Sequence, residues 1–207
     1  MLTRGHRRSC LRMSKRSRDR SGRYVSRGGD KLERSLDAFE IDATGRVAAD
    51  LGANVGGFTD CLLQRGAARI YAVETGYGVL DWKLRQDERV EVMERTNAIH
   101  ATLPESVDLV VADVGWTPLH RYVPTAIRLL KPGGRCVVLL KPQYEVAKSE
   151  LVDGHVDPDR TEMIVFTVIE GLKADGVQVS GQMDPDLESR GRNPERFLLL
   201  EGPSEGL

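Results

Sequence analysis

The chain has few cysteines and no long apolar run. Its three cysteines, Cys10, Cys61 and Cys136, lie far apart and form no CxxC pair. A disulfide framework and a cysteine-based zinc site are therefore both disfavoured. No apolar run approaches the roughly 18 residues that a membrane-spanning helix needs, and the four histidines lack a common spacing that would indicate a metal site. These absences predict a soluble, cytoplasmic protein without a bound metal.

Positive and negative charges are separated along the chain. Residues 1–35 contain 12 lysines and arginines and 3 acidic residues, whereas the remainder contains 18 and 28. This segregation favours a basic arm that binds a polyanion, attached to an acidic enzyme body. Residues 1–22 show no hydrophobic periodicity, so we expect this arm to be disordered. A solvated leader and an Arg- and Ser-rich transit peptide remain alternatives for the same stretch.

Beyond the arm, apolar strands alternate with helical patterns, and 207 residues suit one domain with a substantial core. A helix is predicted from Lys31, because Leu32, Leu36 and Phe39 fall on one face. Further helices are predicted over residues 58–65, 122–130 and 162–172, the second closed by a turn at 131–134. Strands are predicted over residues 47–51, 70–73, 90–93, 107–111, 136–140, 177–181 and 197–200. The pattern predicts an α/β domain over residues 23–203. We expect this domain to contain a mostly parallel seven-stranded sheet with helices on both faces. The last two strands could pair antiparallel.

A glycine-rich turn follows the first predicted strand, with the sequence DLGANVGGF over residues 50–58. Ligands of open α/β sheets bind beyond the carboxyl ends of the strands, and glycines there let the backbone approach a ligand. Asn54 stands where the dinucleotide pattern G-x-G-x-x-G has its second glycine, which disfavours a nicotinamide enzyme. The acidic-x-Gly-x-x-x-Gly spacing is typical of Rossmann-like methyltransferases. Glu74, at the end of the second strand, is placed to bind ribose hydroxyls, with an unliganded surface carboxylate as the alternative.

Seven segments, in order, resemble the TlyA/hemolysin A group of FtsJ-type ribosomal RNA 2′-O-methyltransferases. They are YVSRGGDKL (24–32), GGFTDCLL (56–63), GYGVLDWKLR (76–85), ERTN (94–97), ADV (112–114), LKPQYE (140–145) and NPERF (193–197). The resemblance implies the Rossmann-like fold of S-adenosylmethionine-dependent methyltransferases. It implies S-adenosylmethionine as the cofactor, bound by Asp50, Gly52, Ala53, Asn54, Gly56, Gly57, Phe58, Glu74, Asn97 and Asp113.

The same resemblance implies a Lys-Asp-Lys-Glu catalytic tetrad, formed here by Lys31, Asp113, Lys141 and Glu195. A ribose 2′-hydroxyl is a poor nucleophile, so it needs a base or a cation that stabilises negative charge on its oxygen. We expect Lys141 to lie nearest that hydroxyl, with Asp113 orienting it. Lys31, oriented by Glu195, is expected to lower the pKa of Lys141 as a second cation.

The chain also departs from the family pattern. Members usually carry an S4-type RNA-binding domain before the first segment, and the 23 residues that precede Tyr24 are too few for one, so the basic arm is expected to substitute. Three motif positions differ from the usual pattern: Asn54-Val55 for Ser-Thr, Glu74-Thr75-Gly76 for Asp-Val-Gly, and Gly115-Trp116 for Ser-Phe. Trp116 and Tyr144 follow catalytic strand ends, where they could stack on a base or pack in the core.

Together these patterns predict an S-adenosylmethionine-dependent enzyme that methylates a ribose 2′-hydroxyl of ribosomal RNA. A 2′-O-methyltransferase of another RNA, such as tRNA or a cap, is one alternative. A non-catalytic RNA-binding or hemolysin-like protein is the other, and no long amphipathic segment favours membrane action. We expect RNA as the partner, with no membrane and no DNA, and a monomer.

Overall fold

A seven-stranded sheet forms the centre of the protein. The computed structural model describes residues 22–185 and 193–204, so the predicted arm lies outside it except for residue 22. The strands are β1 (Val47–Leu51), β2 (Arg69–Val73), β3 (Val90–Met93), β4 (Val107–Ala112), β5 (Leu130–Leu140), β6 (Val179–Met183) and β7 (Arg196–Glu201). Their order is β3-β2-β1-β4-β5-β7-β6. β7 runs antiparallel to both neighbours and the other pairs are parallel, which confirms the mostly parallel sheet.

Helices cover both faces of this sheet. They are α1 (Arg27–Ala38), α2 (Gly57–Gln64), α3 (Trp82–Arg85), α4 (Leu119–Arg128) and α5 (Thr161–Ala174). One hydrophobic core contains residues of α4 and α5, and a second contains residues of α1, α2 and α3. Strands β1 and β4 are buried at consecutive positions because their side chains feed both cores in turn.

The fifth strand is longer than predicted. α4 ends at Arg128, and the predicted turn at 131–134 belongs to β5, so both the helix end at 130 and the turn were wrong. Leu130 pairs with Val107 and Arg135 with Leu109, so the extra residues form a bulge opposite Asp108. The Asp108 carboxylate fixes the bulge by accepting from Lys131 Nζ at 2.8 Å.

The first helix begins four residues earlier than predicted, at Arg27. Glycine at position 29 makes this possible, because a Cβ there would lie 2.3 Å from Cγ of the Tyr24 ring. Tyr24 is itself buried, and α1 packs closely against α2. Lys31 is thereby carried to the edge of the sheet where the parallel strands end.

Candidate active site

The site lies where the strand order reverses, between the carboxyl ends of β1 and β4. Asp50 and Gly52 come from the end of β1, and Asp113 directly follows β4. The backbones that follow β1 and β4 approach each other closely, since a Cβ on Gly52 would lie 2.7 Å from the carbonyl oxygen of Asp113. Gly52 also has a φ of 84°, which glycine adopts without strain. This crevice is where open α/β sheets bind their ligands.

Hydrogen bonds hold the glycine-rich turn against the end of β2. The N–H groups of Gly52 and Ala53 both donate to the carbonyl of Val73, at 2.9 and 3.0 Å. Asn54 adopts a φ of 51°, and its N–H donates to Oε2 of Glu74 at 2.8 Å. Oε1 of Glu74 accepts from the N–H of Gly76 at 2.8 Å. Glu74 therefore joins the turn to the loop after β2, and part of its hydrogen-bonding capacity is already used.

A fully buried carboxyl group lies beneath the turn. Oδ2 of Asp50 accepts from the hydroxyl of Thr59 at 2.7 Å, whereas Oδ1 is buried without a hydrogen-bond partner in the described part of the chain. Burial raises the pKa of Asp50 to about 7, against the lowering effect of the Thr59 hydrogen bond. An unpartnered buried carboxyl oxygen is costly, and a cationic ligand in the adjoining cavity would satisfy it.

Two adjoining cavities, of about 400 and 340 Å³, open at this edge of the sheet. They share the residues Gly52, Asn54, Asp113, Gly115 and Trp116. We call the larger one, which also reaches Asp50, Lys31 and Lys141, the lysine cavity. The smaller one, which reaches Glu74 and Asn97, we call the Glu74 cavity.

The predicted cofactor residues divide between these cavities, with one exception. The lysine cavity is lined by Asp50, Gly52, Ala53, Asn54, Gly57, Phe58 and Asp113. The Glu74 cavity is lined by Gly52, Asn54, Glu74, Asn97 and Asp113. Gly56 lines neither cavity. It has a φ of 98°, and a Cβ there would lie 2.2 Å from Cδ1 of Leu84, so it serves the turn and its packing.

Two lysine–carboxylate ion pairs border the lysine cavity. Lys141, which follows β5, contacts the carboxylate of Asp113, which follows β4. Lys31 on α1 contacts the carboxylate of Glu195 in the loop before β7. The structure thus assembles the four predicted tetrad residues as two pairs. Glu195 is the only one of the four that does not line the cavity itself.

The charge state of Lys141 differs from the sequence-based expectation. Burial lowers the pKa of Lys141, but the nearby carboxylates of Asp113 and Glu195 raise it by more. The net pKa therefore lies above the ordinary value for lysine. Lys31 was expected to depress this pKa as a neighbouring cation. That expectation was wrong in direction, because the two carboxylates outweigh the effect of burial. Lys141 therefore carries its proton at neutral pH in the ligand-free protein.

Trp116 and Tyr144 form an aromatic pair beside Lys141. Their ring centroids lie 5.2 Å apart at an interplanar angle of 37°, and Nζ of Lys141 lies 5.8 Å from the centre of the Tyr144 ring. Trp116 is 85% exposed, which excludes core packing for this residue. Arg27 and Ser26 also line the cavity. Sequence reasoning assigned them no role, although both belong to the YVSRGGDKL segment.

Comparisons with known proteins identify relatives of this chain. The FtsJ-like methyltransferase family matches residues 24–202. The 16S/23S rRNA (cytidine-2′-O)-methyltransferase TlyA of Mycobacterium tuberculosis is 42% identical over 183 residues, covering 86% of this chain and 68% of the relative. YqxC of Bacillus subtilis, named as a candidate rRNA methyltransferase, is 42% identical over 198 residues, covering 89% and 68%. A solved structure of a candidate hemolysin from Streptococcus thermophilus is 34% identical, with a TM-score of 0.82 and coverage of 91% and 72%.

Proposed function

The chain belongs to the FtsJ-like methyltransferase family, and we propose that it transfers a methyl group from S-adenosylmethionine to a ribose 2′-hydroxyl of ribosomal RNA. Its fold is the Rossmann-like fold of S-adenosylmethionine-dependent methyltransferases. The observation that carries the proposal is the placement of the Lys141–Asp113 pair on the same cavity as the glycine-rich turn and Asp50. A nucleophile held by the lysine would face a cofactor held by the turn.

The residues of the two cavities fit this cofactor. S-adenosylmethionine, when bound, supplies an activated methyl group on a positively charged sulfur, and its amino group carries a second positive charge. The unpartnered Oδ1 of Asp50 is suited to accept a hydrogen bond from that amino group. In the Glu74 cavity, the Glu74 carboxylate accepts from the N–H groups of Asn54 and Gly76 and from the hydroxyl of Thr75. This leaves about one lone-pair site on Oε2 for a ribose hydroxyl. The Oδ1 of Asn97 already accepts from the N–H of Ile99 at 2.9 Å, which leaves its NH₂ group for the ligand.

Lys141 acts on the 2′-oxygen as a cation in this proposal. Its raised pKa keeps the ammonium group protonated, so it can donate a hydrogen bond to the 2′-oxygen and stabilise the negative charge that develops there. Asp113 holds the ammonium group in place. The hydroxyl proton passes to water as the oxygen is methylated. Lys31, held by Glu195, adds a second positive charge at the rim and favours the phosphates beside the target ribose.

The exposed aromatic pair is suited to receive the base of the target nucleotide. Single-stranded RNA is commonly held by stacking of unpaired bases on aromatic side chains, and the Trp116 face is open to solvent. A base stacked there would bring its ribose toward Lys141, which lies against Tyr144. The aromatic pair therefore supports an unpaired nucleotide as the substrate.

Nucleoside mapping tests the proposed reaction. The protein is incubated with labelled S-adenosylmethionine and, separately, with ribosomal RNA, tRNA and capped RNA, and the labelled nucleosides are identified. We expect a 2′-O-methylnucleoside in ribosomal RNA. Label in tRNA or capped RNA alone would show that this RNA, and not ribosomal RNA, is the substrate. A base-methylated product would refute the assignment to the 2′-hydroxyl.

We further propose that residues 1–22 bind RNA as a basic arm and that residues 23–203 form the methyltransferase domain. Each phosphate contact that the arm makes should steepen the salt dependence of RNA affinity by about 0.7–0.9 in log–log slope. Deleting residues 1–22 should therefore flatten this slope while S-adenosylmethionine affinity stays unchanged. An unaltered slope would favour a leader or transit peptide.

The remaining partner expectations are also proposals. DNA lacks the 2′-hydroxyl that the site would methylate, so we propose RNA as the nucleic-acid partner. We also propose that the protein acts in the cytoplasm. Within residues 22–185 and 193–204, no helix is long and apolar enough to cross a membrane. We propose a monomer, which sedimentation of the purified protein with and without RNA would check.

A further inference from the structure

The helix that follows the catalytic Asp113 has no cap of its own. Pro118 occupies the N-cap position of α4 and offers no side-chain acceptor, and the first turn of the helix contains no acidic residue. The free N–H groups at a helix start require partners. The N–H of Leu119 donates instead to Oε1 of Glu145, at 2.9 Å and 26 residues further along the chain. A negative charge is also favoured at this end of a helix.

Glu145 itself is fixed to the turn that follows Lys141. Its N–H donates to the carbonyl of Pro142 at 3.1 Å, and the N–H of Tyr144 donates to the carbonyl of Lys141 at 2.8 Å. The bond from Leu119 to the Glu145 carboxylate, which we call the Glu145 clasp, therefore joins two loops. One loop begins at Asp113 and contains Trp116, and the other begins at Lys141 and contains Tyr144.

The loop that contains Trp116 needs support from its ends. Trp116 has a φ of 59°, a conformation that is unfavourable for a large aromatic residue. Its ring is exposed and contacts Tyr144, so core packing does not hold it in place. At one end of the loop, the N–H of Asp113 donates to the carbonyl of Leu51 at 3.0 Å. At the other end, the corresponding support is the Glu145 clasp.

Burial of the Glu145 carboxyl group has a cost in stability that the clasp offsets only in part. Burial raises the pKa of this carboxyl group to about 7, and the Leu119 hydrogen bond offsets this only in part. Tyr122 on α4 has a buried hydroxyl without a hydrogen-bond partner in the described residues, and its pKa is raised mainly by burial and further by the charges of Glu145 and Asp113. A serine or aspartate at position 118 would cap α4 locally. Capping by Glu145 has the additional consequence that it ties α4 to the Lys141 loop.

We propose that Glu145 is a positioning residue, which holds the Trp116 loop and the Lys141 turn in register so that both the Lys141–Asp113 ion pair and the Trp116–Tyr144 aromatic pair can form. The effect on loop order follows from the hydrogen bonds alone. The effect on catalysis rests on the proposed function. The two effects can be measured separately.

The first experiment follows Trp116 by fluorescence. The chain has two tryptophans, so a Trp82→Phe background leaves Trp116 as the sole reporter. In this background Glu145→Leu should lower the anisotropy of Trp116 and increase its quenching by acrylamide. Glu145→Gln should preserve both values, because its amide oxygen can still accept from the N–H of Leu119. Glu150→Leu is the matched control: Glu150 lies in the same loop, but its carboxylate accepts from the N–H of Ala147 and from the side chain of Arg160, both outside the Trp116 loop.

The second experiment measures kcat, KM and thermal unfolding. Glu145→Leu should lower kcat by up to about 100-fold, as expected when catalytic groups are misplaced by about 1 Å, and Glu145→Gln should restore it. The double variant Pro118→Asp/Glu145→Leu replaces the cap locally. It should regain thermal stability while kcat and Trp116 anisotropy stay low.

Each outcome decides between the clasp and a simple cap. Full recovery of kcat and Trp116 order in the double variant would reduce Glu145 to a structural cap and overturn the proposal. Normal Trp116 fluorescence in Glu145→Leu would also overturn it, as would a folded Glu145→Gln variant that behaves like Glu145→Leu. If Glu145→Leu does not fold, the double variant and Glu145→Gln still give these answers. If no RNA is methylated at all, the proposed function fails, but the fluorescence result still tests the clasp.

Discussion

The proposed active site has two halves, which we call the cofactor half and the substrate half after the roles proposed for them, and they are built differently. In the cofactor half, at the ends of β1 and β2, backbone N–H groups and glycines form most of the site, and the contacts join residues of neighbouring turns. In the substrate half, at the ends of β4 and β5 and the start of β7, side chains form it. One of its two ion pairs joins distant segments, since Lys31 and Glu195 are 164 residues apart. Binding of the cofactor and chemistry on the substrate should therefore be separable by substitution.

The largest separation is expected at Lys141. Lys141→Ala should lower kcat by about 10³-fold, the loss seen when a group that stabilises developing charge is removed, while S-adenosylmethionine affinity is nearly unchanged. Lys141→Arg should also fail, because the guanidinium group is larger and differently shaped. Single-turnover methylation and calorimetry measure the two quantities.

Lys131 provides a matched control for this substitution. It lies on β5, the strand that Lys141 follows, and pairs with an aspartate of β4, Asp108, but at the other end of the strand. Lys131→Ala should leave the methylation rate near that of the wild type. A Lys141→Ala enzyme with wild-type single-turnover rates would exclude Lys141 from the chemistry.

A smaller loss is expected at Glu195, which touches the cavity only through Lys31. Glu195→Gln removes the negative charge and keeps the shape, so Lys31 should lose its orientation and kcat should fall by up to about 100-fold. Glu162→Gln is the control, because Glu162 pairs on the protein surface with Arg196, the residue that follows Glu195 in the chain. Equal rates in the two variants would separate Glu195 from catalysis.

The cofactor half is probed by Asp50. Asp50→Asn should weaken S-adenosylmethionine binding about tenfold or more, because a charge-assisted hydrogen bond to the amino group is worth about 1.5–3 kcal/mol. The turnover at saturating cofactor should change much less. Since the pKa of Asp50 is about 7 in the ligand-free protein, cofactor binding at pH 7 should release roughly half a proton.

Calorimetry in buffers of different ionisation enthalpy measures this proton release. The Asp50→Asn variant should show none, and the demethylated product, which keeps the amino group, should still release a proton from the wild type. Proton release that persists in Asp50→Asn would assign it to another group.

The same difference between the halves explains what could be predicted from the sequence. The turn at 50–58 was predictable because its role depends on local backbone conformation, which the positions of its glycines indicate. The meeting of Asp113 and Lys141 followed from their places after adjacent strands. The pairing of Lys31 with Glu195 was suggested only by the family resemblance, since no local pattern relates α1 to the loop before β7. The bulge in β5 and the cap from Glu145 were missed because each depends on a side chain supplied by another element.

The smallest effect is expected on stability, where each half contains one carboxyl group with a raised pKa. The pKa values of Asp50 and Glu145 are both raised to about 7, mainly by burial, whereas such groups ordinarily titrate near 4. Between these values the folded protein binds more protons than the unfolded chain, so the free energy of unfolding falls as the pH rises. The stabilisation from protonation is complete below the ordinary pKa and is lost as the pH passes through about 7.

Urea titrations of the cofactor-free protein from pH 5 to 8 measure how the free energy of unfolding changes with pH. The slope amounts to at most about 1.4 kcal/mol per pH unit for each group. Asp50→Asn and Glu145→Gln should each flatten it by a similar amount, and the double variant by their sum, because the two groups lie in different halves. Parallel pH profiles in the wild type and both variants would show that neither carboxyl group is protonated on folding.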